Sequence, residues 1–168
     1  SDFFSAKKIK KITKQKFKII TALSVFYDAK DPDYFLKDVK KLLANDGIFM
    51  LELADLHSIL KYKMFDTICH EHLEYYSSKV IINLAKKNGL RVFDIKRNDI
   101  NGGSKQFYMC LESSKYLVNN KILKNELSEE KRYKLSDPKT FKNFFQEINL
   151  IKTKLLSMIK KIKKKGQS

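Results

Sequence analysis

The sequence predicts an α/β fold: a parallel sheet that ends in an antiparallel hairpin, followed by a helical segment. Three observations carry this expectation. Two short apolar runs rich in strand formers, KIITAL at 18–23 and IFMLEL at 48–53, flank a stretch with apolar residues at helical spacing. A glycine pair, Gly102-Gly103, separates two further strand-like runs. Beyond Ser113 the composition turns polar and charged, and apolar residues then recur every three or four positions from Phe141 to Ile162.

In chain order, KIITAL reads as a buried strand. Asp31 and Pro32 supply a cap and a first-turn proline for a helix that carries Phe35, Leu36, Val39, Leu42 and Leu43 on one face. Asn45-Asp46-Gly47 has turn chemistry, and 48–53 is the next strand. Strand, helix, strand implies a right-handed crossover between parallel neighbours. His57, in ELADLHSIL, reads as a helix-surface residue. Ser77 caps a helix with Val80, Ile81, Leu84 and Ala85, which Asn88-Gly89 stops. Residues 90–95 form a strand, 98–103 turn the chain, and 105–111 return antiparallel. Asp137-Pro138 opens one long amphipathic helix whose lysines, Lys152 through Lys165, fall mostly opposite the apolar stripe.

The chain has 168 residues, enough for a real core, and its 43% hydrophobic content excludes a disordered tail. Cys69 and Cys110 lack CxxC spacing, so neither a disulfide framework nor a zinc ribbon is encoded, and a cytoplasmic location is expected. No apolar run reaches the roughly 18–20 residues that cross a bilayer, so no membrane partner is expected. The net charge of +16 invites anionic partners, but lysine supplies nearly all of it; arginine stands only at 91, 97 and 132. Without an aromatic-interleaved basic stripe, no specific nucleic-acid partner is expected. The five glycines, at 47, 89, 102, 103 and 166, form no phosphate-binding loop.

The densest chemistry lies at 65–77, FDTICHEHLEYYS. If this segment were extended, His70 and His72 would share a side with Glu71 opposite; on a helix they would diverge. Three readings are open. A His-x-His pair ligates zinc only with a further protein ligand, and none is evident, so no metal site is expected. Core or surface packing is the second reading. The third is acid/base chemistry: an imidazole suits removal of a proton from carbon beside a carbonyl if a partner orients it, and Glu71, Glu74, Tyr75 and Tyr76 could supply one. The tyrosines read first as core or pocket wall.

The series SDFFSA (1–6), ITALSVFYDAKDP (20–32), LLANDGIFMLEL (42–53), FDTICHEHLEYYS (65–77) and NGLRVFDIKRNDINGGS (88–104) resembles the S-adenosylmethionine-dependent sugar C-methyltransferases, which act on nucleotide-linked keto-deoxysugars. It runs in order over about residues 1–112, and the rest resembles, more weakly, the same family's approach to a C-terminal domain. The resemblance implies the C-terminal half of a class I, Rossmann-like methyltransferase sheet, its reversed last strand being the hairpin. It divides the chain into a partial methyltransferase domain, 1–112, and a helical linker region, 113–168. It implies an internal fragment: the family's glycine-rich S-adenosylmethionine loop, ribose-binding acid and zinc-binding domain all precede anything matched here, so the chain alone is expected to be inactive.

The same resemblance makes Glu71 and His72 the catalytic pair, with His72 deprotonating carbon beside the sugar ketone and His70 in support. Ala22, Leu23 and Ser24, at the end of KIITAL, become the residual cofactor contacts. Tyr27, Tyr76, Asn101, Gly102 and Gly103 become substrate contacts; some relatives carry histidine where Tyr27 and Asn101 stand here. With its preceding neighbours gone, KIITAL would expose a sheet edge open to self-association. The alternative of a different class is a basic, non-catalytic module that binds nucleic acid or an acidic partner through its Lys-rich helix.

Overall fold

The computed structural model describes residues 4–166. Four strands form one sheet: β1 (Phe17–Leu23), β2 (Leu43–Ala54), β3 (Leu90–Asn98) and β4 (Ser104–Leu111). Their spatial order is β1-β2-β4-β3. β1 runs parallel to β2, while β4 is antiparallel to both β2 and β3. The predicted hairpin therefore exists, and its returning strand is slotted into the middle of the sheet. The first three strands end at one rim, where β4 begins.

Among the described residues, six α-helices accompany the sheet: α1 (Ala6–Ile12), α2 (Pro32–Leu42), α3 (Leu56–Tyr62), α4 (Ser78–Lys87), α5 (Asn120–Arg132) and α6 (Pro138–Lys164). α2 starts as expected, with Asp31 accepting the Tyr34 N–H at 2.8 Å and Pro32 in the first turn. Its apolar face, Leu36 and Val39, joins Ile81 and Ala85 of α4 over Phe49, Leu51, Leu53, Leu90, Val92, Phe107 and Met109. Each such burial contributes about 1.5–3 kcal/mol against the exposed side chain. Asp33 ties the two helices, accepting from Lys87 Nζ at 2.6 Å and Asn88 Nδ2 at 2.7 Å.

The sheet's other face is bare at the β1 edge among the described residues. There Ile19 is 70% and Leu23 51% exposed. Period-two alternation puts Ile19, Thr21 and Leu23 on that side and Ile20 and Ala22 on the core side.

Three readings need correction. Asn45-Asp46-Gly47 does not separate helix from strand; it lies inside β2, where the pairing jumps from Phe17–Leu43 to Ile19–Ile48 and the intervening residues bulge out. Gly47 is required there, since a Cβ would stand 2.7 Å from the Phe17 carbonyl oxygen and 2.9 Å from Leu43. Leu43, assigned above to the helix face, is the first residue of β2. His57 is not on a helix surface but buried in α3, edge-on to Tyr133 with ring centroids 4.6 Å apart.

α5 is fastened by charge. Lys105, buried on β4, places its ammonium 2.9 Å from Asp55, 2.8 Å from Glu126 and 3.5 Å from Glu130, with Ser78 Oγ also at 2.9 Å. Burial alone would push its pKa down, but Asp55 and Glu126 outweigh that and hold it up. Arg97 makes a two-pronged bond to Glu126, at 2.7 and 2.8 Å, and pairs with Glu129. Glu130 also accepts the Ser78 N–H at 2.6 Å and the Lys79 N–H at 3.2 Å, so α5 caps α4. α6 makes little contact: Phe144 is buried and Glu147 pairs with Lys63 at 2.9 Å, but Leu150, Leu155, Leu156, Met158 and Ile162 are exposed.

Candidate active site

In α/β sheets, sites form outside the carboxyl ends of parallel strands, and the histidine segment lies at that end here. After Leu23 the chain makes a left-handed step at Ser24 (φ 53), whose N–H donates to the Glu52 carbonyl at 2.9 Å. A single 3₁₀ turn follows, Phe26–Asp28. Phe26 is fully buried and fixes the turn, which leaves the next residue, Tyr27, half-buried at the surface. The Tyr27 carbonyl accepts the Leu73 and Glu74 N–H groups at 2.9 and 3.2 Å, stapling the histidine segment to the end of β1.

Beyond a single 3₁₀ turn at Phe65–Thr67, that segment is neither strand nor helix, and residues 70–71 form a turn. The turn separates the two histidines. His70 and Glu71 face solvent, with side chains 91% and 76% exposed and His70 Nε2 4.0 Å from Glu71 Oε1. His72 turns inward against the Tyr27 ring, with centroids 4.0 Å apart. Its Nδ1 lies 3.0 Å from the Thr67 carbonyl oxygen. A carbonyl only accepts, so Nδ1 carries a proton, and the lone pair of the neutral ring resides on Nε2. Nε2 has no partner among the described residues. Tyr75 stands edge-on to the same ring, with its hydroxyl donating to Thr67 O at 3.1 Å. The orienting partner is therefore a backbone carbonyl, with Glu71 directed elsewhere.

The glycine pair lies against the approach to Thr67. Asn101 (φ 52), Gly102 (φ 81) and Gly103 (φ 134) all have positive φ, as the turn needs. A Cβ at Gly102 would meet Met64 at 2.5 Å, and one at Gly103 would meet Ser58 at 3.0 Å. Gly103 O accepts the Asp55 N–H at 3.1 Å, and Met64 O accepts the Thr67 hydroxyl at 2.8 Å. Close packing, more than open approach to a ligand, accounts for both glycines.

Of the residues singled out by sequence, the structure joins His72 to Tyr27, while Gly102 and Gly103 pack against Met64 and Ser58 and Asn101 is exposed. Leu23 and Ser24 reach the rim, but the Ala22 side chain is in the core. Tyr76 is core as well: its ring packs on Phe26, its hydroxyl is buried without a partner among the described residues, and burial pushes its pKa to about 12. No group of three or more His, Cys, Asp or Glu among the described residues is placed to hold a metal ion.

Sequence reasoning passed over Thr67, because a backbone carbonyl leaves no mark on residue type. It also passed over Glu52, which is buried at the rim and accepts from Gln106 Nε2 at 2.5 Å and Asn98 Nδ2 at 3.1 Å. An acid inside the apolar run FMLELA was the available signal.

A parallel α/β sheet with one reversed strand slotted between its last two is the sheet that the sequence resemblance implies. The chain belongs to the methyltransferase domain family, whose profile matches residues 3–95, more than half of it. A second profile, the C-methyltransferase C-terminal domain, matches residues 99–168. A C-methyltransferase of Streptomyces niveus, NovU, is 26% identical over 151 residues, covering 90% of this chain. The chain spans 36% of that relative's length. Similar solved structures include a methyltransferase of Thermotoga maritima (TM-score 0.48, 15% identity, 58% of this chain and 56% of that one). Another is from Clostridium acetobutylicum (TM-score 0.45, 14% identity, 59% and 60%). Among the described residues, no helix is long and apolar enough to cross a membrane.

Proposed function

We propose that this chain is part of an S-adenosylmethionine-dependent C-methyltransferase that acts on a nucleotide-linked keto-deoxysugar, with His72 as general base. The observation that carries the reading is the imidazole itself: Nδ1 is committed to the Thr67 carbonyl, leaving the Nε2 lone pair free beside Tyr27. Nε2 takes the proton from the carbon next to the ketone, and the C–H electron pair becomes the enolate that is methylated at carbon. The catalytic demand is mainly placement, since a proton transfer between well-aligned groups contributes about a hundredfold to ten-thousandfold. Tyr27 walls the imidazole, and Glu52 offers a fixed acceptor at the same rim.

S-adenosylmethionine, when bound, supplies the electrophilic methyl group. The residues described here fit it only in part. Leu23 and Ser24 give a wall at the end of β1, but no run of free backbone N–H groups or acid for a ribose accompanies them. Methyl transfer by this chain unaided is therefore not expected.

The test is His72→Ala in a protein that joins this segment to the remaining length of its relatives. Turnover on a keto-sugar should fall at least about a hundredfold with cofactor affinity nearly unchanged. Turnover within a few-fold of the parent would sink the base assignment.

A further inference from the structure

Resting on the assignment of His72 as base, we propose that Tyr75 is its positioning residue, holding the imidazole in the Nδ1–H form through the Thr67 carbonyl. One oxygen receives both donors: His72 Nδ1 at 3.0 Å and the Tyr75 hydroxyl at 3.1 Å. Both acceptor positions of that carbonyl are thereby filled. The Tyr75 oxygen also accepts the Cys69 N–H at 3.2 Å, so a single hydroxyl bridges residues 67 and 69 and fixes the loop between them. From the other side, the Ile68 N–H, which shares its peptide plane with the Thr67 carbonyl, donates to Phe65 O at 3.1 Å, and Thr67 N–H and Oγ1 both donate to Met64 O, at 3.3 and 2.8 Å, so that plane is held within the Phe65–Thr67 turn.

The consequence lies in the geometry of sharing. A hydroxyl that must donate to Thr67 O and accept from Cys69 N has its proton direction determined. The carbonyl is then held at hydrogen-bonding distance from Nδ1 without help from the exposed turn at 70–71. Burial raises the Tyr75 pKa, which keeps the hydroxyl protonated and able to donate. Glu71, the residue next in sequence, does none of this; its carboxylate is in solvent beside His70.

The experiment is nitrogen NMR of ¹⁵N-histidine-labelled chain at slightly alkaline pH, with the His72 resonances identified by their loss in His72→Gln. The parent should show the Nδ1–H tautomer at His72. Tyr75→Phe, which keeps the ring and removes only the hydroxyl, should lower the ratio of Nδ1–H to Nε2–H by about tenfold, the factor carried by one ordinary hydrogen bond. Tyr27→Leu, which removes the ring contact and none of these hydrogen bonds, should leave the tautomer as in the parent and serves as the control for loosening of the loop. An Nε2–H parent, or a Tyr75→Phe spectrum unchanged at His72, overturns the proposal. In the longer enzyme, the same Tyr75→Phe should lower kcat with little change in KM. A shifted tautomer with full turnover would instead overturn the base assignment while leaving the positioning role standing.

Discussion

Lys105 is one residue on which several elements depend. Its ammonium is enclosed by Asp55 at the cap of α3, by Glu126 and Glu130 on α5 and by Ser78 at the start of α4. Removing one partner of a buried ion pair costs more than the pair is worth, because the remaining charges stay desolvated. Lys105→Met should therefore destabilise the chain by about 3–5 kcal/mol, read as a lower denaturant midpoint. His57 gives a pH dependence. Burial lowers its pKa; Asp55 and Glu129 pull the other way, and Lys105 and Arg97 reinforce the lowering. As pH falls below about 6.5, the ordinary histidine value, the unfolded chain takes up the proton first, so stability is lost on the acid side and this contribution is absent above it. His57→Gln should flatten the stability profile between about pH 7 and 5, measured by chemical denaturation across that range. Lys105 was legible as an oddity, a lysine in the buried register of an alternating strand. Its partners were not, because three carboxylates distant in sequence converge only after α5 docks.

At the scale of elements, capping and periodicity carried most of the information. Asp31-Pro32, Ser77, Asn88-Gly89 and Asp137-Pro138 mark real helix ends. They are local signals that tertiary contacts do not overrule. The turn at 45–47 was misread because turn-forming residues and a strand bulge have the same composition, and only the partner strand distinguishes them. The histidine segment could not be assigned to strand or helix because it is neither, and its shape depends on the Tyr27 carbonyl more than forty residues earlier. The family resemblance selected His72 over His70; the turn at 70–71 supplies the physical difference between them. The link between α5 and α4 makes its own prediction. Glu130→Ala strips the Ser78 and Lys79 N–H groups of their acceptor, so it should cost about 1–2 kcal/mol, as loss of a helix cap does. Thermal unfolding followed by circular dichroism is the measurement.

For the whole molecule, the two matched profiles meet at the β3–β4 hairpin, yet the sheet does not divide there. β4, matched by the second profile, pairs with β2 and β3, matched by the first. The two profiles describe one folded body as far as α5. On the function proposed above, the rim of that body would give a cofactor a wall at Leu23 and Ser24, with no run of free backbone donors beside them among the described residues. Titration calorimetry of S-adenosylmethionine into this chain should accordingly give a dissociation constant of about a millimolar or weaker, near −4 kcal/mol. A low-micromolar constant would mean that the described residues hold the cofactor by contacts that this geometry does not suggest.

The placement of β4 also fixes an order of assembly. A nascent chain that has emerged as far as Asn98 holds the β1–β2 pair and a separate β3, with nothing between β2 and β3 to hydrogen-bond either edge. The gap between β2 and β3 closes only when β4 slides into it, so these pairings wait on residues synthesised after both strands that they join. Such a protein passes through an interval in which two apolar strand edges are available to any neighbour. Substitutions that weaken β4, for instance at Phe107 or Met109 in its buried register, should then lower the yield of folded protein out of proportion to the stability they remove.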